Sequence, residues 1–367
     1  MGRGSRRALG RPVAASNVLD LSALAGIVSY EPAELVLTAL AGTPMGVIEA
    51  ALAEHQQCLA FEPPHFGSLL GVDSDGTLGG TVAVGLSGPR RFKAGAVRDH
   101  VLGIAAVSGR GEAFIAGGKV VKNVTGYDVP KLLAGSYGTL AVLTEITVKV
   151  LPRPQDQRTV VVGGLSARDG VRVMTSVLQS AIDVSGACYL PVVPWAEGSV
   201  TAFRLEGFSV SVEARLGELT ARLGTEGSVS TLDQATSAEF WRGVRDVRLF
   251  ESGAREALVW RLSVPPSAAV AVVERIERSR AGAKVFMDWG GGLIWVAVDS
   301  GEAEAPIRAA LAEASGHATL IRAPADLRAR VPVFQPQAPA IAALAKRVKA
   351  QFDPSRVLNP GRMYVDV

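Results

Sequence analysis

Apolar spacing divides this chain into two regimes. In "ELVLTALAG" (34–42) apolar residues run almost unbroken to a glycine, which predicts a buried strand. "TPMGVIEAALAEHQQ" (43–57) then puts Ile48, Ala51 and Leu52 on one helical face, with Thr43 as N-cap and Pro44 as first helical residue. "CLAFEPP" (58–64) returns extended. "VLGIAAVSGRGEAFIAGG" (101–118) alternates around a glycine turn and predicts a hairpin. "GTLAVLTEITVKVLPRP" (138–154) is a long strand stopped by Pro152 and Pro154. A first domain over 1–153 follows.

Beyond it the spacing settles into a repeat. "RTVVVGG" (158–164) reads as a strand, "SARDGVRVMTSVLQSAI" (166–182) as a helix and "VSGACYLPVV" (184–193) as a strand. "TAFRLEGFSVSVEA" (201–214) alternates like a hairpin, and "RLGELTARLG" (215–224) reads as a helix. The order then returns: strand "EALVWRLSV", helix "PSAAVAVVERIERSR", two strands in "AKVFMDWGGGLIWVAVD", helix "EAEAPIRAALAEA" and strand "HATLIRA". Strand–helix–strand–strand–helix–strand is the split-βαβ order of ferredoxin-like units. The expected fold class is α+β, with a ferredoxin-like antiparallel sheet in a second domain over 154–328. The last segment, 329–367, is an amphipathic helix and a Pro/Gly-rich tail whose Phe352, Leu358 and Met363 are expected to pack back on the body.

Composition narrows the classes. With 367 residues and 48% hydrophobic positions the chain can bury a large core, and at roughly 100–200 residues per domain two domains fit. A net charge of +3, with both signs interspersed, gives no footprint for nucleic acid. The exception is the basic start "MGRGSRRALGR". Cys58 and Cys188 are too few for an iron–sulfur cluster or a structural zinc site, and suggest a reducing compartment. No uncharged apolar run reaches roughly 18 residues, the length that would read as a membrane helix. Cytoplasmic localisation is the expectation, and the complex implied by the resemblance given below would allow peripheral contact with the inner face of the membrane.

The chemistry-bearing residues lie among glycines. "GRGSRR" (2–7), "GTLGGTVAVGLSGPRR" (76–91) and "GGKVVKNVTGYDVPKLLAGSYGTL" (117–140) each set backbone-exposing residues beside apolar strands. Successive glycines let backbone N–H groups line a concavity that binds anions such as phosphates. Tight turns without a ligand remain the alternative at this stage. None of these stretches has the G-x-G-x-x-G or G-x-x-x-x-G-K-[ST] spacing. "DSDG" (73–76) lacks the downstream glutamate of a calcium loop. His55, His65, His100 and His317 are scattered, with no metal-ligand spacing.

Three stretches together carry a resemblance: 76–91, 97–154 with its "NVTGYD" and "GSYGTL", and the terminal "FDPSRVLNPGRMY". With them the sequence resembles flavoproteins of the vanillyl-alcohol-oxidase, or PCMH-type FAD-binding, fold. Within these it is most similar to the FAD-binding E chains of bacterial glycolate dehydrogenases (glycolate oxidases). The resemblance implies FAD, held non-covalently because the first loop has no histidine or cysteine where some relatives attach it. It implies that Gly2, Arg3, Gly4 and Ser5 line the pyrophosphate, matched by Gly79, Gly80, Thr81, Ser87 and Gly88. Asn123, Gly126, Tyr127 and Asp128 would shape the flavin pocket. Gly135, Ser136, Gly138 and Thr139 would support the adenine and diphosphate side, and Asn359, Pro360, Gly361 and Arg362 would return to the FAD domain.

Family members carry an α/β segment before the first loop, so the resemblance also implies an FAD-binding domain short at its N-terminus. Arg3, Arg6 and Arg7 would then be loop residues and not a targeting signal. The sister catalytic chain of such complexes carries a G-H-x-G-D-G-N-x-H metal motif that "SGHATL" at His317 does not match, so no metal site is expected here. The implied role is the FAD-binding subunit beside a catalytic flavin chain and an iron–sulfur chain, oxidising the small 2-hydroxyacid glycolate to glyoxylate. Two readings compete with it: a free-standing FAD oxidase of a small alcohol or hydroxyacid, using residues such as Arg242, Arg245 and Asp288, and a structural subunit that has lost flavin. A yellow preparation separates the flavoproteins from the last reading. Turnover by the chain alone separates the oxidase from the subunit.

Overall fold

The computed structural model describes residues 2–118, 126–193, 197–251, 257–299 and 304–367. They form two compact units, one of 1–88, 95–153 and 325–367, the other of 89–94 and 154–324. The short segment 89–94 and the C-terminal 325–367 therefore each join a unit remote from them in sequence.

The first unit is built on strands β1 (Ile27–Glu31), β2 (Val36–Leu40), β3 (Gln57–Cys58), β4 (Val101–Ser108), β5 (Ala113–Gly117), β6 (Ala141–Lys149) and β7 (Leu151–Pro152). Five make an antiparallel sheet in the order β1-β2-β6-β4-β5, and β3 pairs with β7. The 101–118 hairpin forms as β4–β5, with Ile104 opposite Ala116. The helix Met45–Glu54 buries Met45, Ile48 and Leu52 in one core cluster with Leu37, Ile146 and Val148 of the sheet. Fully burying each such side chain contributes about 1.5–3 kcal/mol.

The start of that helix corrects the sequence expectation. Pro44 is the N-cap, and no side chain caps the helix. The Thr43 hydroxyl instead donates to the Leu40 carbonyl at 2.7 Å and accepts the Gly26 N–H at 2.9 Å, tying the strand end to the loop before it. The 76–91 stretch is also not a strand border: Leu78–Val84 is a helix, capped by the Thr77 hydroxyl accepting the Gly80 N–H at 3.2 Å.

The second unit contains β8 (Asp156–Gly163), β9 (Gly186–Leu190), β10 (Val200–Gly207), β11 (Ser228–Leu232), β12 (Leu258–Ser263), β13 (Lys284–Asp288), β14 (Leu293–Val298) and β15 (His317–Arg322). Its sheet runs β11-β8-β10-β9-β13-β14-β12-β15, with every pairing antiparallel. In each half the fourth strand lies outside the first, and the third between the first and the second. This is the split-βαβ arrangement twice over. The halves meet where β9 joins β13, at Tyr189 opposite Met287.

The expected 201–214 hairpin is not formed. β10 ends at Gly207, and Ser209–Leu223 is one helix burying Val212, Leu219 and Leu223. The alternation in "FSVSVEA" yields to the 3.6-residue spacing of the longer segment.

Alternation along these strands sorts their faces. Trp260 sits beneath Arg308 of the helix Glu304–Ala310, ring to guanidinium 5.4 Å. Arg261, the next residue, therefore faces the other way. By the strand pairings Arg204, Glu206, Arg261, Asp288 and His317 all share that opposite face.

Candidate functional site

The loop 2–11 turns twice, with the Arg7 N–H on the Gly4 carbonyl and the Leu9 N–H on that of Arg6. It lies hard against 76–81. A Cβ on Gly2 would stand 2.9 Å from Thr77 Cγ2, and one on Gly76 would stand 2.7 Å from Ser5 Oγ. Bare backbone is what allows this approach. Between these contacts Arg6 reaches inward, donating to Thr81 Oγ1 at 2.9 Å and to the Pro64 carbonyl at 3.4 Å.

Two further segments join them. The Gly135 and Tyr137 N–H groups donate to the Val82 and Ala83 carbonyls, so the 135–139 turn hangs from the helix Leu78–Val84. Tyr137 is left-handed (φ 56°), and its ring stands T-shaped to that of Phe334, with centroids 4.9 Å apart. Asn359 Nδ2 donates to the Tyr137 and Gly138 carbonyls at 3.0 and 3.1 Å. Arg362 Nη2 donates to the Arg6 carbonyl at 3.0 Å. Beneath them Lys349 Nζ, paired with Asp353 at 2.6 Å, donates to the Thr139 and Leu358 carbonyls. Stretches hundreds of residues apart thus meet around Arg6.

The charge there is uncompensated. Burial lowers the Arg6 guanidinium to about 10, opposed by the Tyr137 phenol. Burial also lowers Arg362, again opposed by Tyr137, with Arg328 and Arg7 adding like-charge pressure. The Nε atoms of both Arg6 and Arg362 are buried without a hydrogen-bond partner. Among the described residues neither guanidinium meets a carboxylate. A buried charge of this kind is costly unless something pairs it. A phosphate-bearing anion supplies both the charge and the acceptors, so the residues present fit the pyrophosphate of FAD.

The structure brings together Gly2, Gly4, Ser5, Gly80, Thr81, Gly135, Ser136, Gly138, Thr139, Asn359 and Arg362. Gly79 has a different reason to be glycine: a Cβ would stand 2.8 Å from both Ala41 Cβ and the Ala41 carbonyl oxygen, so it serves helix–strand packing. The Arg3 side chain is exposed. Ser87 Oγ accepts the Val97 N–H, and the Gly88 N–H donates to the Phe61 carbonyl, so both act in local scaffolding. Gly126, Tyr127 and Asp128 are exposed, and Asp128 caps the helix Val129–Leu133 while pairing with Lys131 at 2.7 Å. Asn123 lies outside the described residues.

Sequence reasoning missed Arg6 and Tyr137. Arg6 was hidden in a basic start that resembles a solvated loop; its position directly after the glycine loop was the available signal. The non-glycine residue between Gly135 and Gly138 was the signal for Tyr137.

Residues 1–117 match the family model of the FAD binding domain. The glycolate oxidase subunit GlcE of Escherichia coli (strain K12) is 37% identical over 373 residues, spanning 100% of this chain and 92% of that one. The chain belongs to the GlcE family. Its fold is the PCMH type: p-cresol methylhydroxylase superposes with a TM-score of 0.71 at 14% identity, over 100% of this chain and 84% of that one. The glycolate oxidase subunit GlcD of Bacillus subtilis (strain 168) is 41% identical over 83 residues, covering 23% of this GlcE-family chain and 18% of that one. This GlcE-family chain is an FAD-dependent oxidoreductase subunit. Among the described residues no helix is long and apolar enough to cross a membrane.

Proposed function

We propose that this chain is the FAD-bearing E subunit of a glycolate dehydrogenase complex, working in the cytoplasm beside a GlcD-type flavin chain and an iron–sulfur chain. The observation that carries the reading is the full-length identity with the glycolate oxidase subunit GlcE, 37% over 373 residues. The unpaired Nε atoms of Arg6 and Arg362 support it from the side of the site.

Bound non-covalently, FAD supplies a two-electron acceptor, and the protein supplies binding, orientation and charge. Arg6 and Arg362 would neutralise the pyrophosphate. Thr81 holds the Arg6 guanidinium in place, and Asn359 pins the 137–138 turn from the C-terminal side. Gly2, Gly4 and Gly80 would give the backbone access that a phosphate needs.

The test is direct. The purified chain is expected to be yellow, to release FAD on denaturation, and to show glycolate-dependent dye reduction only with its partner chains present. A colourless protein that FAD does not bind, or full glycolate turnover by the chain alone, contradicts the proposal.

A further inference from the structure

The last residues of the chain are held on the first unit in two different ways. The helix Pro339–Phe352 ends on a buried ion pair, Lys349 Nζ to Asp353 Oδ2 at 2.6 Å. Asp353 also accepts the Val357 and Leu358 N–H groups at 3.0 and 2.8 Å, so the chain is fixed as far as Leu358. Beyond it the anchoring changes. Of residues 359–367 only Val367 is buried. Asn359 Nδ2 donates to the Tyr137 and Gly138 carbonyls, and Arg362 Nη2 to those of Arg6 and Arg7. The Arg362 carbonyl accepts the Arg11 N–H at 2.8 Å. The Tyr364 hydroxyl donates to the Gln335 carbonyl at 3.1 Å, and its ring meets Phe334 with centroids 5.9 Å apart. A segment that buries little apolar surface and hangs on hydrogen bonds can open locally while the core stays folded.

This segment closes against its own charge. It lays Arg362 on the loop that carries Arg6 and Arg7. Burial holds the Arg362 guanidinium below its ordinary value, Tyr137 opposes that, and Arg328 and Arg7 press it further down. Its bonds to the loop end on carbonyls, so they supply no negative charge. The Nε atoms of Arg6 and Arg362 stay buried without a hydrogen-bond partner. Like-charge repulsion therefore opposes closure, and an anion between the two guanidiniums reverses its sign.

We propose that residues 359–367 are a strap that closes on the loop 2–11 when a pyrophosphate group lies between Arg6 and Arg362, and opens when none does. Anion binding and closure are then one coupled step. Closure itself delivers Arg362 to the anion, and by linkage whatever loosens the strap weakens anion binding by the same factor. The inference rests on the proposed function only for the identity of the anion as FAD.

Hydrogen–deuterium exchange on the full-length protein tests it in four states: flavin-loaded, flavin-stripped, and stripped with inorganic pyrophosphate or with riboflavin. The Arg11, Gly361 and Val367 amides, each bonded to or within the strap, are the reporters. The amides of the helix Met45–Glu54 report the fold. The strap amides are expected to exchange about tenfold faster in the stripped protein than in the loaded one. Pyrophosphate is expected to slow them again and riboflavin is not, with the helix amides protected throughout. Tyr364→Phe removes the bond to Gln335, away from the anion, and is expected to release FAD about threefold faster while binding riboflavin as before. Equal strap exchange in all four states, riboflavin protecting as fully as pyrophosphate, strap and helix amides lost together, or unchanged FAD release from folded Tyr364→Phe overturns the proposal. Pyrophosphate protecting the strap of a protein that does not bind FAD contradicts the proposed function alone. FAD binding with strap exchange unmoved contradicts the strap alone.

Discussion

Two buried arginines, one in each unit, show how differently the fold treats the same side chain. Arg204 on β10 is 1% exposed, stacks 4.7 Å over Trp241 and meets the Glu206 carboxylate at 3.3 Å. Arg6 is 9% exposed, donates to one hydroxyl and one carbonyl, and keeps a buried Nε with nothing to bond. A guanidinium is taken from water in both cases, at a cost of several kcal/mol. Arg204 recovers it inside the chain and is scaffold. Arg6 does not, and it sits where glycine-rich segments bring bare backbone together. Counter-charge, not burial, distinguishes a structural arginine from one kept for a ligand.

Removing the counter-charge gives the largest expected effect. Glu206→Gln takes away the carboxylate that Arg90 and Arg204 both face, and is expected to cost about 3–5 kcal/mol in denaturant unfolding. An unchanged midpoint would erase the distinction, because Arg204 would then be no better supported than Arg6.

The same carboxylate makes a pH prediction. Burial alone would raise Glu206, but Arg204, Arg90 and Ser185 together hold it at about 2. Its folded value lies below its unfolded one, near 4.5. Its contribution, roughly 3 kcal/mol from the shift, is therefore complete above the unfolded value and lost as pH falls through the folded one. Acid titration of stability between pH 5 and 2 is expected to be shallower in Glu206→Gln than in the unsubstituted chain (pH limits about the two values).

The first unit separates packing from ligand access by two adjacent glycines. Gly79→Val collides with Ala41 and is expected to destabilise the fold by about 1–3 kcal/mol. Gly80 has more room, since a Cβ there would stand 3.4 Å from Thr77 Oγ1, so Gly80→Ala is expected to keep thermal stability while lowering flavin content. Normal flavin in a folded Gly80→Ala protein would show that cofactor approach does not depend on that bare backbone. The smallest effect belongs to the cap: Thr77→Ala removes the acceptor for the Gly80 N–H and is expected to cost about 1 kcal/mol in thermal unfolding.

Much of this architecture is written in spacing. Apolar positions at period two and period 3.6 announce both split-βαβ halves, because each strand and helix buries one face against its neighbours. Local ambiguity defeats the reading at 201–214, where "SVSV" alternates but belongs to a helix fixed by Val212, Leu219 and Leu223. The helix Leu78–Val84 is not legible in spacing either, because glycines and valines are weak helix formers and the Thr77 cap that starts it is a single residue. The glycine loops of the site are visible as loops. That Arg6 turns inward is not, because whether a guanidinium is buried depends on the Thr81 hydroxyl and Pro64 carbonyl waiting for it, both far away in sequence. Nor does any periodicity reveal that 89–94 joins the second unit, carrying Arg90 to Glu206 and Arg91 to Trp289.

The central claim, that Arg6 is held for a phosphate, is tested most directly by the affinity of the full-length apoprotein for FAD and for riboflavin, before and after Arg6→Gln. A charge-assisted hydrogen bond is worth about 1.5–3 kcal/mol, so FAD is expected to bind roughly 10–100-fold more weakly to the variant. Riboflavin, which has no phosphate, is expected to bind both proteins alike. Equal FAD affinity in a folded Arg6→Gln protein, or an equal loss for riboflavin, would contradict the account.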